Sequence, residues 1–170
     1  MELIHKVEKA LEGPLSSLPP LPKDAKKGLA SVLPWLALIG GVLQILAAWW
    51  LYDWARKADQ WVDLANRWAA AAGVSGVNSG LTLWVWIGVV VLAVDARILL
   101  LAFPKLQKKE KGGWDLLLLG ALLNLAYGVV SLFIDGRGGL GSLIWTLLVS
   151  TLGFYLLFQV REHFGGKALT

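Results

Sequence analysis

The sequence predicts an all-α, multi-pass membrane protein: four transmembrane helices, an outer interfacial amphipathic helix and a short amphipathic helix at the amino terminus. Three observations carry that expectation. Of the 170 residues, 56% are hydrophobic and 16% charged, with a mean hydropathy of +0.61. Soluble domains carry roughly 25% charged residues, and a water-soluble monomer of this size could not hide so much apolar surface. Four apolar runs, 31–52, 81–103, 114–134 and 140–160, each approach the ~20 residues that a helix rising ~1.5 Å per residue needs to cross ~30 Å of hydrocarbon. The basic residues lie in short clusters beside those runs.

The elements follow in chain order. Residues 1–30 form a cytoplasmic amphipathic helix and proline-rich linker. Leu3, Val7, Ala10 and Leu11 share one helical face, Lys6, Glu8, Lys9 and Glu12 lie elsewhere, and Gly13-Pro14 stops the pattern. The stretch 14–28 reads as an extended tether, and its Pro19-Pro20-Leu21-Pro22 also resembles a ligand for aromatic-lined grooves. No apolar run with a small-residue cleavage site stands at the amino terminus, so the first span is expected to serve as an uncleaved insertion signal. The four-helix transmembrane domain occupies 31–160. Pro104 closes the second span and Gly112-Gly113 precede the third, while Asp135-Gly136-Arg137-Gly138-Gly139 forms a tight turn before the fourth, so both pairs are expected to be antiparallel hairpins. Residues 161–170 form a cytoplasmic tail.

Between the first two spans, 53–72 repeats at helical spacing. Trp54, Ala58, Trp61, Ala65, Trp68 and Ala72 share one stripe, and Arg56, Asp59, Gln60, Asp63, Asn66 and Arg67 fill the other side. This predicts a helix lying flat on the outer surface, anchored by Trp54, Trp61 and Trp68 either in the lipid interface or against the spans. Three acids and three bases cancel along it, so attraction to anionic lipid is not its principle.

Orientation comes from the basic residues, which are retained on the cytoplasmic side. The amino-terminal region holds Lys6, Lys9, Lys23, Lys26 and Lys27, the middle loop Lys105, Lys108, Lys109 and Lys111, and the tail Arg161 and Lys167. Only Arg56, Lys57, Arg67 and Arg137 lie on the other side. The pattern predicts both termini in the cytoplasm. Tryptophan, which favours the membrane–water boundary, fits this layout: Trp35 and Trp114 fall at the inner boundary and the other eight at or beyond the outer one.

The first and third spans align at an offset of eighty, Gly40-Gly41-Val42-Leu43-Gln44 against Gly120-Ala121-Leu122-Leu123-Asn124, with Ala48 opposite Gly128. Gly40, Ala48, Gly120 and Gly128 therefore mark helix faces that permit close approach, each pair flanking an amide that can bond across the contact. Chance accounts for so short a match as readily as a duplicated hairpin does.

Asp95 and Arg97 are the charges placed well inside a span, about 12 and 9 Å from the cytoplasmic boundary. Charges in hydrocarbon are costly enough to be functional candidates. Gln44, Asn124, Ser150 and Thr151 fall near the same depth, so one polar group from each helix is expected in a mid-membrane layer. One reading is an ion or proton site, with Asp95 as the titrating carboxylate and Arg97 as counter-charge or anion ligand. The other is that Arg97 reaches to the inner headgroups while Asp95 is hydrogen-bonded and locks the bundle. Residues two apart on a helix do not face each other, which disfavours a direct pair between them.

Other chemistries lack their residues. There is no cysteine, which excludes disulfides and thiol catalysis. His5 and His163 lie outside the spans without ligand partners at useful spacing, so no metal site and no cofactor is expected. Tyr127, Ser131 and Tyr155 have no visible activating base, and Gly136-Arg137-Gly138-Gly139-Leu140-Gly141 lacks the Lys-Ser/Thr of a phosphate loop. No basic aromatic groove argues for nucleic acid.

The segments PWLALIGG (34–41), ILLLAFP (98–104), YGVVSLF (127–133) and YLLFQVRE (155–162) resemble a family of small four-span proteins of unassigned function from reduced-genome bacteria. The likeness runs along nearly the whole chain. Some relatives carry the loose label of chromate transporter, but the paired, motif-bearing halves of true chromate permeases are absent here. The resemblance implies a fold and a membrane, and no substrate. Residues and resemblance together lead to the expectation of a non-enzymatic membrane protein in envelope organisation or membrane-protein assembly, with the lipid bilayer and either itself or other membrane proteins as partners. The alternative is a small oligomeric ion or solute transporter using Asp95 and Arg97.

Overall fold

A computed structural model describes residues 2–76, 80–131 and 140–165, and among them every regular element is helical. The order is α1 (Glu2–Ser16), α2 (Lys23–Ala71), α3 (Gly80–Gln107), α4 (Lys111–Ser131), α5 (Leu140–Gln159) and a 3₁₀ turn (Arg161–Phe164). Three helices, α2, α3 and α4, are long and apolar enough to cross a membrane, whereas the apolar stretch of α5 whose side chains are described, Ile144–Gln159, is shorter. The expected 135–139 turn, the last residues of the third run and the second half of the tail, 166–170, lie outside the described residues.

The largest departure from the sequence reading is α2. Its 49 residues, about 74 Å of helix at ~1.5 Å per residue, join the first span and the expected surface helix without a break. The cause is an inward stripe of small residues that the tryptophan pattern masks. Ala30, Pro34, Ala37, Gly41, Gln44, Ala48 and Ala55 are buried or half-buried, spaced by fours, threes and one seven, and the half-buried Asp59, Val62, Asn66 and Ala69 continue the series. A four–three alternation keeps one seam facing a neighbouring helix, and that neighbour is α3, running antiparallel. Gly41 sits over Leu100 and the Ala96 carbonyl, Trp35 meets Phe103 at 5.7 Å, Tyr52 packs edge-on to Trp86 at 5.4 Å, and the Trp86 indole donates to Asp59 at 3.3 Å. Residues 53–59 are thus held along α3, and Trp54, Trp61 and Trp68 point away from it.

Helix ends follow local chemistry. α2 stops because Gly73 takes φ +71°, which lets Gly73 N–H reach the Ala70 carbonyl and Val74 N–H reach Ala69, the paired bonds of a Schellman ending. α1 does not stop at Gly13-Pro14 but runs to Ser16; proline removes one N–H from that last turn, and burial of Leu15 in the core supports it. The extended linker is accordingly short, 17–22, and it is pinned on α5. Leu21 N–H donates to Gln159 at 3.2 Å and the Tyr155 hydroxyl donates to the Pro19 carbonyl at 2.7 Å.

Extensive packing joins helices adjacent in sequence, α2 on α3, α3 on α4 and α4 on α5, so the long helices stand in chain order and α2 is not closed against α5 along its length. One end is better knit. There Leu15, Ala30, Ala37, Ala102, Leu106, Trp114, Leu118, Phe154, Phe158 and Phe164 form a single core. The opposite half of α5 presents Ile144, Trp145, Leu148 and Leu152 outward.

Candidate functional site

Asp95 on α3 is 1% exposed, and it organises a polar layer between three helices. Gln44 of α2 donates its Nε2 to Asp95 Oδ2 at 2.5 Å, and Asn124 of α4 donates its Nδ2 to the same oxygen at 2.6 Å and to the Gly120 carbonyl at 3.0 Å. The sequence explains the convergence. Gln44 lies on the α2 seam, and Asn124 stands one helical turn beyond Gly120 on α4. Gly120 lets α4 come close: a Cβ there would lie 2.8 Å from Asp95 Oδ1. Asp95 Oδ1 and Gln44 Oε1 are buried with no hydrogen-bond partner among the described residues, so the layer offers two acceptor oxygens to an incoming donor.

The remaining residues of the expected layer lie elsewhere. Arg97 is exposed on the far side of α3, where it lines an apolar groove of about 280 Å³ with Ile45, Ala48, Ala93, Ala96, Leu100 and Leu101. Two positions along a helix is a rotation of ~200°, which puts the guanidinium on the other face from the carboxylate. Thr151 lines a second groove of about 420 Å³ beside Leu18, Pro19 and Tyr155, and Ser150 is half-buried on α5. Of the expected close-approach faces, Ala48 is buried on the α2 seam, while Gly40 is half-buried beside it and Gly41 makes the tighter contact. Gly120 meets Asp95, and Gly128 meets Thr146, whose methyl would lie 2.5 Å from a Cβ. The offset of eighty thus pairs two amides, Gln44 and Asn124, that bond the same Asp95 oxygen, while the small residues it pairs meet different neighbours.

A second cluster, which the sequence reading did not foresee, ties the amino terminus to the end of the chain. Arg161 grips Glu8 at 2.6 Å with one terminal nitrogen and Glu12 at 2.7 Å with the other. Glu8 and Glu12 are one helical turn apart and stand side by side, so one guanidinium fork spans both. The Arg161 and Glu8 side chains are 8% and 5% exposed, and Lys111 at the start of α4 adds a contact to Glu8 at 3.7 Å. The guanidinium also lies 5.6 Å from the Trp114 ring and 5.9 Å from Phe158, within reach of a cation–π attraction. Trp114, expected at the interface, is fully buried; its indole N–H donates to the Leu157 carbonyl at 2.8 Å. The available signal was the pair of glutamates four apart on α1 and a lone arginine just beyond α5. The first and last described helical segments consequently meet at one end of the molecule.

Helices of this length and apolarity make the chain a membrane protein. Comparison with family models, curated proteins and solved structures gave no match.

Proposed function

We propose that this protein is a non-enzymatic component of a bacterial inner membrane that works by assembly, with itself or with other membrane proteins, in organising the envelope. On this reading 140–160 is a fourth span, both termini are cytoplasmic in keeping with the basic clusters, and the 53–71 part of α2 lies on the outer side. The observation that carries the reading is the disposition of polar and apolar groups. The intramembrane amides are spent on bonds between α2, α3 and α4, while Trp49, Trp50, Trp54, Trp61, Trp68 and Trp145 stand outward on helices that leave flanking faces uncovered. Native mass spectrometry of the full chain released from mild detergent is expected to show an oligomer or a retained membrane-protein partner. A bare monomer under every solubilisation condition would sink the proposal.

A second reading, a small oligomeric transporter, is favoured by one observation, the buried acceptors Asp95 Oδ1 and Gln44 Oε1, which have no partner among the described residues. It requires that proteoliposomes of the wild type carry an ion or solute flux and that Asp95→Asn removes it while the protein still folds. No flux in the wild type, or equal flux in the variant, rejects the transporter and leaves the layer as a lock between helices.

A further inference from the structure

Arg97 stands exposed on α3, inside the apolar run 81–103 and ~9 Å from its basic end. Among the described residues no carboxylate pairs with it. The ion pairs there join Lys26 to Glu162, Lys57 to Asp53, and Arg161 and Lys111 to the glutamates of α1. Asp95 is turned to the opposite face and holds Gln44 and Asn124. A guanidinium carries a fixed positive charge, and a charge left without a counter-ion at this depth is costly. Lys108 continues the basic line. Its N–H bonds the Pro104 carbonyl at 3.3 Å, which carries the helical winding on and sets Lys108 ~20° from Arg97 around the axis and ~16 Å nearer the basic end.

Beside Arg97 the seam between α2 and α3 opens into the groove of about 280 Å³. Ala48 and Ala96, 8% and 1% exposed, form its floor, since side chains this short leave the space between the helices unfilled. Ile45, Leu100 and Leu101 stand along its sides, and from Leu101 to Ala93 it follows α3 for ~12 Å. The result is an apolar trough with one cation midway along it.

We propose that this trough holds an acyl chain of an anionic phospholipid whose phosphate is bound by Arg97. Charge complementarity selects the occupant. A second copy of the chain has no carboxylate to offer here, because the acids within its apolar runs, Asp95 and Asp115, are buried and the others lie outside those runs. Free phosphate is excluded from hydrocarbon and has no use for an apolar trough. A phospholipid satisfies both halves of the site, and basic pockets between membrane helices are where anionic head groups bind. The inference goes beyond the assembly reading and takes from it only the choice of the cytoplasmic leaflet.

The test uses the full chain in nanodiscs of phosphatidylcholine with a minor share of phosphatidylglycerol, released gently into a mass spectrometer that counts the lipids kept by each chain. Both leaflets of the disc have one composition, so the outcome is independent of orientation. The wild type is expected to keep one phosphatidylglycerol in preference to phosphatidylcholine. Arg97→Gln should lower that preference about tenfold, the scale of one hydrogen bond to a charged group, whereas Arg97→Lys should keep most of it. Ala93→Phe, at the exposed mouth of the trough, leaves every charge in place and should still lower phosphatidylglycerol retention. Melting curves establish that the variants fold. No preference in the wild type, full preference in Arg97→Gln, or undiminished retention in Ala93→Phe overturns the site. So does a membrane protein kept by the wild type and lost from Arg97→Gln with no lipid bound, which would put a partner's carboxylate on Arg97. The oligomeric state seen in the same spectra tests the assembly reading separately, so either can fall without the other.

Discussion

Arg161→Ala is expected to destabilise the chain by about 3–5 kcal/mol and to free α1, because truncating one partner of a buried ion pair strands the other charge. Glu8 would lose its closest charge partner, with Lys111 standing farther off at 3.7 Å, and Glu12 would lose the contact at 2.7 Å that fixes its turn of helix. The loss extends beyond charge, since the guanidinium plane also covers Trp114 and Phe158 and arginine stems contribute packing of their own. The measurement is a thermal unfolding curve in detergent together with limited proteolysis across residues 17–22, which should become the first site cut. The swap Glu8→Arg/Arg161→Glu should restore part of the protection. A variant that melts like the wild type and resists the protease at 17–22 would show that the clasp contributes nothing.

Gly113→Val should open the hairpin between α3 and α4 at a cost of about 3 kcal/mol, the upper range for overpacking a tight contact. A Cβ at this position would lie 2.7 Å from the Leu106 backbone nitrogen and 3.0 Å from the Lys105 carbonyl carbon, and backbone cannot rotate out of the way as a side chain does. The control is Gly153→Ala on α5, where no atom of the described residues lies within 4 Å of an added Cβ; it should be neutral or stabilising by up to ~1 kcal/mol through helix propensity alone. The two melting temperatures, read side by side, decide the point. Comparable behaviour of both variants would mean that the close approach at Gly113 is dispensable.

Helix type was legible in the sequence because it rests on local pattern, apolar runs of spanning length; the punctuation was less telling, since Pro104 lies inside α3 and Gly112-Gly113 inside α4. The layer of Gln44, Asp95 and Asn124 was legible for a related reason, since few residues in an apolar helix have anything to bond with except each other. What escaped was rotation. Depth alone placed Arg97, Ser150 and Thr151 beside Asp95, whereas the ~200° between positions 95 and 97 sends the arginine to the opposite face. The reading of 53–72 erred similarly. Tryptophan is so strong an interface signal that its stripe was placed either in lipid or against the spans, while the quieter inward series Ala55, Asp59, Val62, Asn66, Ala69 was overlooked. Small and polar residues give little hydropathy signal, yet they are what an adjacent helix packs against. The Arg161 clasp lay beyond any local pattern, because it joins positions about 150 apart in the chain.

From Gln44 to Ala71 there is neither glycine nor proline, and the intrahelical ladder runs on through Ala71. Such a column offers no hinge, so the setting of the tryptophans about the helix axis and that of the Gln44 amide on Asp95 are fixed together on one unbroken element.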